Sequence, residues 1–461
     1  MRKEDKMRME LPIKVKHIID KLQAAGYEAY IVGGCVRDTL LNLSPKDWDI
    51  TTSATPFQIK ELFDRTVDTG ISHGTVTVML GKEGFEVTTY RVDGEYEDYR
   101  HPKQVMFTKK LIEDLRRRDF TINAMAYNHS DGLIDMFSGY QDLKDKVVRC
   151  VGSATERFDE DALRILRAIR FSAQLNFTIE EDTLLAVCAK SLNLVNISAE
   201  RIREELNKLL LSNYPKKLMI AHEAGITKVV LPEFDVMLAC DQENHHHIFN
   251  VGMHCLEALS CFVKKYPMTS NTAVNVYSKK MQLILRWTLL LHDVGKPKTK
   301  TIGKDNEGHF YGHAAVSAQM AKGILKRLKF DNETIELVYK LIYYHDYRFQ
   351  TDASHMRKAM NLIGSENMEL LLEVQQADVM AKKPEFQNEK LESLEGVRKL
   401  FQEIVKQGDC VSLKSLAVNG GDLIQAGYQP GKEIGEKLNY LLDVVIKNPE
   451  CNTKEQLLRM L

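Results

Sequence analysis

Asp47 and Asp49 stand two residues apart, after a glycine turn and a short helix, in the run 31–50, IVGGCVRDTLLNLSPKDWDI. We expect both on a second strand, where side chains two apart point to one face of a sheet. Two carboxylates held together repel each other, and Mg²⁺ relieves that repulsion because it takes oxygen ligands and leaves room for phosphate. Such a pair can also be an ordinary surface feature, but its sequence neighbours favour phosphoryl transfer.

The turn before the helix has the composition of an anion site. Gly33 and Gly34 let the backbone approach a phosphate closely, and the helix that follows offers free N–H groups. Arg37 lies in its first turn, next to Asp38, where it can reach phosphate oxygens. The segment therefore supplies metal ligands and a triphosphate cradle. Glu86, which opens the predicted strand EVTTYR, is the candidate third carboxylate of a two-metal site, with an exposed strand glutamate as the alternative.

Two downstream segments combine arginines with aspartates. In LRRRDFTINA, Arg117 and Arg118 can hold a phosphate and Asp119 can accept a ribose hydroxyl, although such clusters are also common on solvated faces. In EDALRILRAIRF, Asp161 and Arg164 are three apart on a predicted helix, and Arg167 and Arg170 extend their face.

The aspartate–arginine pair has a defined hydrogen-bonding pattern. Aspartate only accepts and arginine only donates, which matches the base edges of cytosine and adenine and mismatches those of uracil and guanine. Asp161 and Arg164 therefore predict a protein template for C and A. The alternative is an ion pair on a helix surface.

The elements that position these residues change in character along the 461 residues, a length that suggests three or four domains. Up to about residue 150, short strands are predicted at YEAYIV, WDITT, TVTVML and FEVTTYR. Helical periodicity follows. We divide the chain into 1–150, 151–240, 241–385 and 386–461.

Composition limits the possible partners and compartments. The net charge of −1 gives no global field for nucleic acid, so such a partner needs a local basic face. The charged start does not resemble a signal peptide, and no apolar run is long enough to span a membrane. Eight cysteines without a CxxC pair indicate reduced thiols of a cytoplasmic protein.

The motifs GGCVRD, DWD, RRDFTINA, DMFSGYQDL and EDALRILRAIRF, in this order over roughly residues 28–172, resemble those of class II tRNA nucleotidyltransferases and related bacterial poly(A) polymerases. These families belong to the DNA polymerase β superfamily. The resemblance implies an α+β fold: a polymerase-β-like nucleotidyltransferase head with a mixed sheet, followed by an all-α neck, body and tail that hold tRNA.

The resemblance also implies roles for individual residues. Asp47 and Asp49 would bind Mg²⁺ with Glu86 as third carboxylate, Gly34 and Arg37 would contact the triphosphate, Asp119 the ribose, and Asp161 and Arg164 the base, while Arg118, Arg167 and Arg170 would support the nucleotide. Asp135 and Gly139 fall in a hinge-like motif between head and neck.

The product is predicted from the loop at residues 91–115. Enzymes that add only CC resemble the complete enzymes but have a shortened loop, whereas this one has full length and its EDYRHP stretch resembles that of CCA-adding enzymes. We therefore expect addition of CCA to tRNA from CTP and ATP with release of pyrophosphate. CC-adding, A-adding and poly(A) enzymes remain alternatives, and the intact carboxylates argue against a non-catalytic RNA-binding protein.

A histidine region suggests a second site. His292-Asp293, between WTLLL and VGKP, resembles the HD phosphohydrolase signature. That resemblance implies His254, His292, Asp293 and Asp378 as core metal ligands, with His313 and His345 matching variants that bind a second metal. Imidazoles and carboxylates suit a divalent transition metal or Mg²⁺. The site would hydrolyse a phosphate mono- or diester, or the region would serve only as a tRNA platform.

Two further segments have simpler interpretations. His245 to His247 are interpreted as a helix start without chemistry. Gly427, Gly431 and Gly435 lie around predicted turns of the tail, where backbone amides could meet RNA phosphates. That tail segment also resembles the C-terminal segment of CCA-adding enzymes.

Overall fold

The computed structural model describes residues 8–94, 105–243, 248–268, 275–304 and 306–461. The chain forms two compact units, Met1–Pro232 with Pro267–Val276, and Glu233–Tyr266 with Tyr277–Leu461. None of the helices in the described ranges has the length and apolar character needed to span a membrane. All eight cysteines lie in these ranges as free thiols, as predicted.

The strands of the first unit include those of the predicted mixed sheet. They are β1 Ala29–Val32, β2 Ile50–Thr52, β3 Thr66–Gly70, β4 Thr75–Leu80, β5 Glu83–Thr89, β6 Arg91–Asp93, β7 Val105–Phe107, β8 Met125–Asn128, β9 Gly132–Asp135, β10 Val147–Val148 and β11 Thr178–Ile179. Seven of them form one sheet in the order β3-β4-β5-β2-β1-β8-β9. Only β2 and β5 pair in parallel there; the other neighbours are antiparallel.

Helices surround this sheet and then continue alone. Those of the first unit are α1 Ile13–Ala24, α2 Gly34–Leu40, α3 Pro56–Leu62, α4 Leu111–Arg116, α5 Gly139–Asp145, α6 Ala154–Glu160, α7 Leu163–Leu175, α8 Glu181–Lys190, α9 Ala199–Leu210, α10 Leu218–Glu223 and α11 Thr227–Val230. Tyr30 and Val32 of β1 pack with Tyr90 and Leu115 in one buried core. Strand β4 alternates in burial, as the sequence TVTVML predicts.

The second unit is almost entirely helical. Its elements are α12 Pro232–Leu238, α13 Val251–Lys265, α14 Lys279–Leu291, α15 Lys296–Thr299, β12 Thr301–Ile302, β13 Gly308–His309, α16 His313–Arg327, α17 Asn332–Tyr344, α18 Ala353–Ile363, α19 Ser365–Met380, α20 Gln387–Gln407, α21 Gly420–Gln425, α22 Lys432–Lys447 and α23 Lys454–Arg459. The last three helices share an apolar core that includes Leu423, Leu441 and Leu457. The mixed sheet with its helical remainder confirms the predicted α+β class.

Three predicted placements were wrong. Asp47 and Asp49 precede β2 rather than lie on it, although the Asp49 carbonyl still accepts a 3.0 Å hydrogen bond from the Val32 N–H. Glu86 lies in the middle of β5 because the ladder with β4 begins at Glu83.

The third wrong placement concerns Asp161, which is not on a common helix with Arg164. It has extended backbone angles between α6 and α7. Its carboxylate accepts a 3.0 Å hydrogen bond from the Leu163 N–H, so it caps the helix that carries Arg164.

Candidate functional site

Three exposed carboxylates lie toward the same end of the paired strands β2 and β5. Ile50 pairs with Val87 in parallel register, so Asp49 and Glu86 each stand one residue before a partner in adjacent strands. Asp47, Asp49 and Glu86 are all exposed. Surrounding protein raises the pKa of Asp49, the negative charge of Asp47 raises it further, and Arg118 opposes both. Asp47 and Asp49 are therefore close enough to repel each other, and a divalent cation would relieve that repulsion.

The glycine turn lies directly under an arginine. Gly33 has φ +80°, in the left-handed region that favours glycine, and its N–H donates to the Met125 carbonyl at 3.2 Å. A Cβ at position 33 would lie 2.9 Å from Nη1 of Arg118. A side chain here would therefore displace that guanidinium from the turn.

A second arginine is held beside the same turn by polar partners. Nη2 of Arg37 donates to Asp38 Oδ1 at 2.6 Å, and Nη1 donates to Asn123 Oδ1 at 2.6 Å. A Cβ at Gly34, where α2 begins, would be 3.7 Å from Nη2 of Arg37. Two guanidinium groups thus flank a turn whose backbone is open to close approach by an anion.

Asp114, which sequence reasoning missed, positions the downstream arginines. Its buried carboxylate accepts from Arg117 Nη2 at 2.7 Å, from Arg118 Nη2 at 3.4 Å and from Thr51 Oγ1 at 3.3 Å. Burial would raise the pKa of Asp114, but Arg117 and then Arg118 hold it below its usual value. Asp114 lies on α4, three and four residues before Arg117 and Arg118, and this spacing could have been recognised in the sequence.

Asp119 joins two parts of the site. Its Oδ1 accepts from the Phe120 N–H at 2.8 Å and from Asn123 Nδ2 at 3.0 Å, while Oδ2 accepts from Arg167 Nε at 2.8 Å. Burial raises the pKa of Asp119, yet Arg167 and these hydrogen bonds lower it overall. Through Asn123, which also bonds Arg37, Asp119 connects the turn with helix α7.

The proposed base-reading residues have separate ion-pair partners. Asp161 Oδ2 accepts from Arg201 Nη2 at 2.9 Å. Arg164 Nη1 donates to Glu160 Oε2 at 2.5 Å, and its Nη2 donates to the Arg117 carbonyl at 2.9 Å. Two of these partners, Arg201 and Glu160, were not part of the sequence interpretation.

Arg170 lies in a buried pair rather than beside Asp119. Its Nε donates to Glu205 Oε2 at 2.5 Å, and Nη1 donates to Gln174 Oε1 at 2.7 Å. Burial lowers the pKa of Arg170 to about 10, against the effect of Glu205. This pair ties helix α7 to helix α9, so the structure brings Arg167 to the site and gives Arg170 a supporting position.

The hinge-like motif with Asp135 and Gly139 is closely packed. Asp135 accepts from the Gly139 N–H and the Tyr140 N–H, each at 2.9 Å, and so anchors the start of α5. A Cβ on Gly139 would lie 2.2 Å from the Thr121 carbonyl oxygen, so only glycine fits at this position.

All six residues of the predicted HD site converge in the second unit. Asp378 Oδ1 is 2.8 Å from His254 Nε2 and 3.6 Å from His292 Nε2. Asp293 Oδ1 is 3.3 Å from His313 Nε2 and 3.5 Å from His345 Nε2. Candidate ligand atoms within each of the groups His254–His292–Asp378 and Asp293–His313–His345 lie within 4.8 Å of one another.

The backbone orients three of these imidazoles. Nδ1 of His292, His313 and His345 contacts the carbonyl oxygen three residues earlier, at 2.9, 2.8 and 2.7 Å respectively. When Nδ1–H donates to a carbonyl, the lone pair on Nε2 can bind a metal, which is the arrangement typical of metal-binding histidines. The donor set and its orientation fit a divalent transition metal or Mg²⁺.

Two lysines balance the carboxylates of this cluster. Lys296 Nζ lies 2.7 Å from Asp293 Oδ2, and Lys382 Nζ lies 2.7 Å from Asp378 Oδ2. Burial would raise the pKa of Asp378, but Lys382 and then His254 hold it well below its usual range. Both carboxylates are thus stabilised in the charged form in which a carboxylate binds a metal.

The remaining predicted features fall partly outside the described residues. The EDYRHP stretch and His245 to His247 lie outside them. Gly427 and Gly431 have positive φ values, +100° and +145°, at the turns around α21 and α22, whereas Gly435 lies within α22.

Comparison with known families finds three matching domain models. The poly(A) polymerase head domain matches residues 29–149, an RNA- and SrmB-binding site of polymerase A matches residues 176–238, and tRNA nucleotidyltransferase domain 2 matches residues 310–461.

Individual relatives extend this similarity to nearly the whole chain. A CCA-adding enzyme of Streptococcus mutans is 34% identical over 96% of this chain and 94% of its own length. One from Lactiplantibacillus plantarum is 52% identical over 43% of this chain and 49% of its own length, so this chain spans about half of that relative. The Bacillus stearothermophilus CCA-adding enzyme in complex with CTP superposes with a TM-score of 0.70 at 26% identity, covering 98% of this chain and 97% of that one.

The buried Arg170–Glu205 pair makes a stability prediction. Glu205→Gln leaves a buried guanidinium without its anionic partner, which should lower the free energy of unfolding by about 3–5 kcal/mol. Urea unfolding can be followed by Trp48 fluorescence in a Trp287→Phe background, because the two tryptophans lie in different units. Glu204→Gln, an exposed neighbour, is the matched control and should change stability by less than about 0.5 kcal/mol. Equal effects of both substitutions would contradict a stabilising role for the pair.

Proposed function

Because this chain belongs to the CCA-adding enzymes, we propose that it is a tRNA nucleotidyltransferase that builds the 3′-terminal CCA from CTP and ATP. The observation that carries the proposal is the set of carboxylates Asp47, Asp49 and Glu86 beside a glycine turn flanked by two arginines. The free thiols suit the cytoplasm, where we expect the enzyme to act. Relatives that add only CC or A, and poly(A) polymerases, would share most of these features.

The reaction that suits these groups is an in-line displacement. The 3′-hydroxyl oxygen of tRNA forms a bond to the α-phosphorus, the bond from that phosphorus to the pyrophosphate oxygen breaks, and the hydroxyl proton is lost. Arg37 and Arg118 would bind the triphosphate, with the Gly33 backbone close against it. Asp119, oriented by Arg167, would accept the ribose hydroxyl.

Mg²⁺ ions are the cofactor that the carboxylate set fits. The negative charge of Asp47 raises the pKa of Asp49, as expected for two neighbouring anions that a cation would stabilise. Glu86 lies at the matching position of the neighbouring strand as a third carboxylate. When bound at these residues, Mg²⁺ would lower the pKa of the attacking hydroxyl and balance charge on the leaving pyrophosphate.

The choice between bases is assigned to Asp161 and Arg164. Their ion pairs with Arg201 and Glu160 would hold the acceptor and the donor in fixed positions, so that C and A are bound by complementary hydrogen bonds. Rejection of U and G would follow because their edges place a carbonyl acceptor opposite the acceptor Asp161 and an N–H donor opposite the donor Arg164.

A tRNA transcript that ends at its discriminator base tests the proposal directly. With Mg²⁺, CTP and ATP, we expect it to grow by C, C and A and then stop, as resolved on a sequencing gel. Asp47→Asn should reduce this addition by at least about 100-fold because it removes a metal-binding charge. The matched control Asp64→Asn, at an exposed site after α3, should leave it unchanged. A stop after CC, a long A ladder, or full activity of Asp47→Asn would each contradict the assignment.

Base selection makes a separate prediction. Asp161→Ala and Arg164→Ala should relax discrimination against UTP and GTP by about tenfold or more, since one good base contact is worth about 1–3 kcal/mol. Incorporation of each single nucleotide is measured on the same transcript. Asp159→Ala, an exposed aspartate on α6, serves as the control. Unchanged discrimination in both variants would refute the template.

The histidine–aspartate cluster supports a second candidate function, a metal-dependent phosphohydrolase. Its convergent, backbone-oriented imidazoles are the observation that favours it over a passive platform for tRNA. Water would form a bond to phosphorus as the bond to the ribose oxygen breaks, so that a 2′,3′-cyclic phosphate opens to a phosphomonoester. A bound divalent metal would supply charge stabilisation and an acidified water.

Metal content tests this second site without reliance on activity. In an Asp47→Asn background, protein equilibrated with Mn²⁺ and then washed should lose most of its bound metal on His292→Ala, measured by elemental mass spectrometry. His355→Ala, at an exposed histidine of α18, should keep it. Chelator-sensitive opening of a 2′,3′-cyclic phosphate should be lost in His292→Ala and kept in Asp47→Asn. Metal retention by His292→Ala would refute the site.

A further inference from the structure

Phe171 is a buried aromatic residue of helix α7 with three arginine side chains around its ring. It is only 4% exposed. The guanidinium carbon Cζ lies 3.8 Å from the ring centroid in Arg170, 5.0 Å in Arg37 and 5.5 Å in Arg167. All three distances fall within the range of about 6 Å over which the negative face of an aromatic ring attracts a cation. Each of these arginines therefore has a favourable interaction with the same ring.

The three arginines come from two distant parts of the chain. Arg167 and Arg170 belong to α7, four residues and one residue before Phe171, whereas Arg37 lies on α2, shortly after the glycine turn. Residues four apart on a helix share a face, but Arg37 reaches the ring only because the folded chain brings α2 to α7. The ring is therefore a direct contact between the segment of the glycine turn and the helix whose Arg167 binds Asp119.

The charges around the ring are only partly balanced by their own partners. Each of the three arginines forms an ion pair with a different carboxylate: Arg37 with Asp38, Arg167 with Asp119 and Arg170 with Glu205. Burial lowers the pKa of Arg170, Glu205 opposes that effect, and the positive charge of Arg167 lowers the pKa further. Arg167 and Arg170 therefore repel each other, and a ring that attracts both offsets part of that repulsion.

The ring is itself held in place by the segment that carries Asp119. Phe120 packs edge to face against Phe171, with ring centroids 5.7 Å apart and an interplanar angle of 81°. Phe120 is completely buried, and its N–H donates to Asp119 Oδ1 at 2.8 Å. Close packing of this kind leaves a side chain few alternative positions. The ring of Phe171 thus provides a fixed surface for the guanidinium groups around it.

We propose that Phe171 is a positioning residue for nucleotide binding. Its ring holds Arg37 where this arginine would contact the triphosphate, and it holds Arg167 where that arginine orients the ribose-binding Asp119. The proposal rests on the proposed function for what these groups bind. It assigns a role to the negative face of the ring and not only to its volume. An aliphatic side chain would fill similar space but would leave three cations near one another without that attraction.

Ring-fluorinated phenylalanines separate the charge distribution of the ring from its volume. Fluorine withdraws electron density from the ring faces and changes the size only slightly, so mono-, di- and trifluorinated phenylalanine at position 171 should weaken the attraction stepwise. We expect the KM for CTP and for ATP to rise with each fluorine, by about tenfold in total. The kcat should change less than about threefold, because these arginines bind the ground state and the transition state alike. KM values that do not depend on fluorination would overturn the proposal.

Fluorination of Phe177 is the matched control. Phe177 is 3% exposed, close to the value for Phe171, and no cation lies over its ring among the residues that the structure describes. The same fluorinated residues at position 177 should leave the KM within about twofold of the unsubstituted value. An equal rise in KM at both positions would mean that fluorine acts through packing, and it would contradict a role for the charge of the ring.

Phe171→Leu extends the series to a side chain without an aromatic face. It should raise the KM for both nucleotides at least as much as the trifluorinated ring does, because no attraction to the guanidinium groups remains. An unchanged KM in this variant would also overturn the proposal. The fluorinated series decides the question where Phe171→Leu fails to fold.

Failure of the proposed function would have a different signature. The unsubstituted protein would then add no nucleotide to tRNA and would bind no CTP in equilibrium dialysis. Fluorination at position 171 would still lower the urea midpoint of the first unit more than fluorination at position 177, because the attraction between ring and cations does not depend on nucleotide. Addition of CCA with a KM that is indifferent to fluorination would leave the proposed function intact and overturn only the role of Phe171.

Discussion

The buried carboxylate of Asp119 is the interaction on which the first site depends. It accepts hydrogen bonds from Arg167 on helix α7 and from Asn123, and Asn123 in turn holds Arg37 beside the glycine turn. A buried anion is tolerated only when its hydrogen-bonding capacity is filled, so each partner fixes the others. The glycine turn with Arg37 and the helix α7 with Arg167 therefore belong to one hydrogen-bond network. In the sequence they come from separate motifs.

The carboxylates of the first unit and those of the histidine–aspartate cluster have opposite electrostatic environments. Asp47 and Asp49 are exposed and mutually repulsive, and the pKa of Asp49 is raised. Asp293 and Asp378 are paired with Lys296 and Lys382, and the pKa values of both are lowered. A cation at the first site would remove a repulsion, whereas one at the second would compete with lysines that already neutralise its ligands.

Much of the first site could be predicted because its signals are local. The glycine turn, the aspartate pair and the strand TVTVML depend on neighbouring residues and on side-chain period. The helix start at Asp161 was also readable, since an aspartate before an apolar run is a common cap. The supporting partners Asn123, Arg201 and Glu205 could not be predicted, because their roles arise only when distant helices pack. Strands β3, β8 and β9 were missed because they lack a strong alternating pattern.

The parallel pairing of β2 with β5 has a consequence for the order of folding. Between Asp49 and Glu86 lie 36 residues, which include the antiparallel partners β3 and β4. Closing so long a segment costs more chain entropy than forming the β4–β5 hairpin, so we expect the hairpin to form before β5 pairs with β2. The three carboxylates can meet only once β5 has paired with β2, so we expect this site to form after the hairpin.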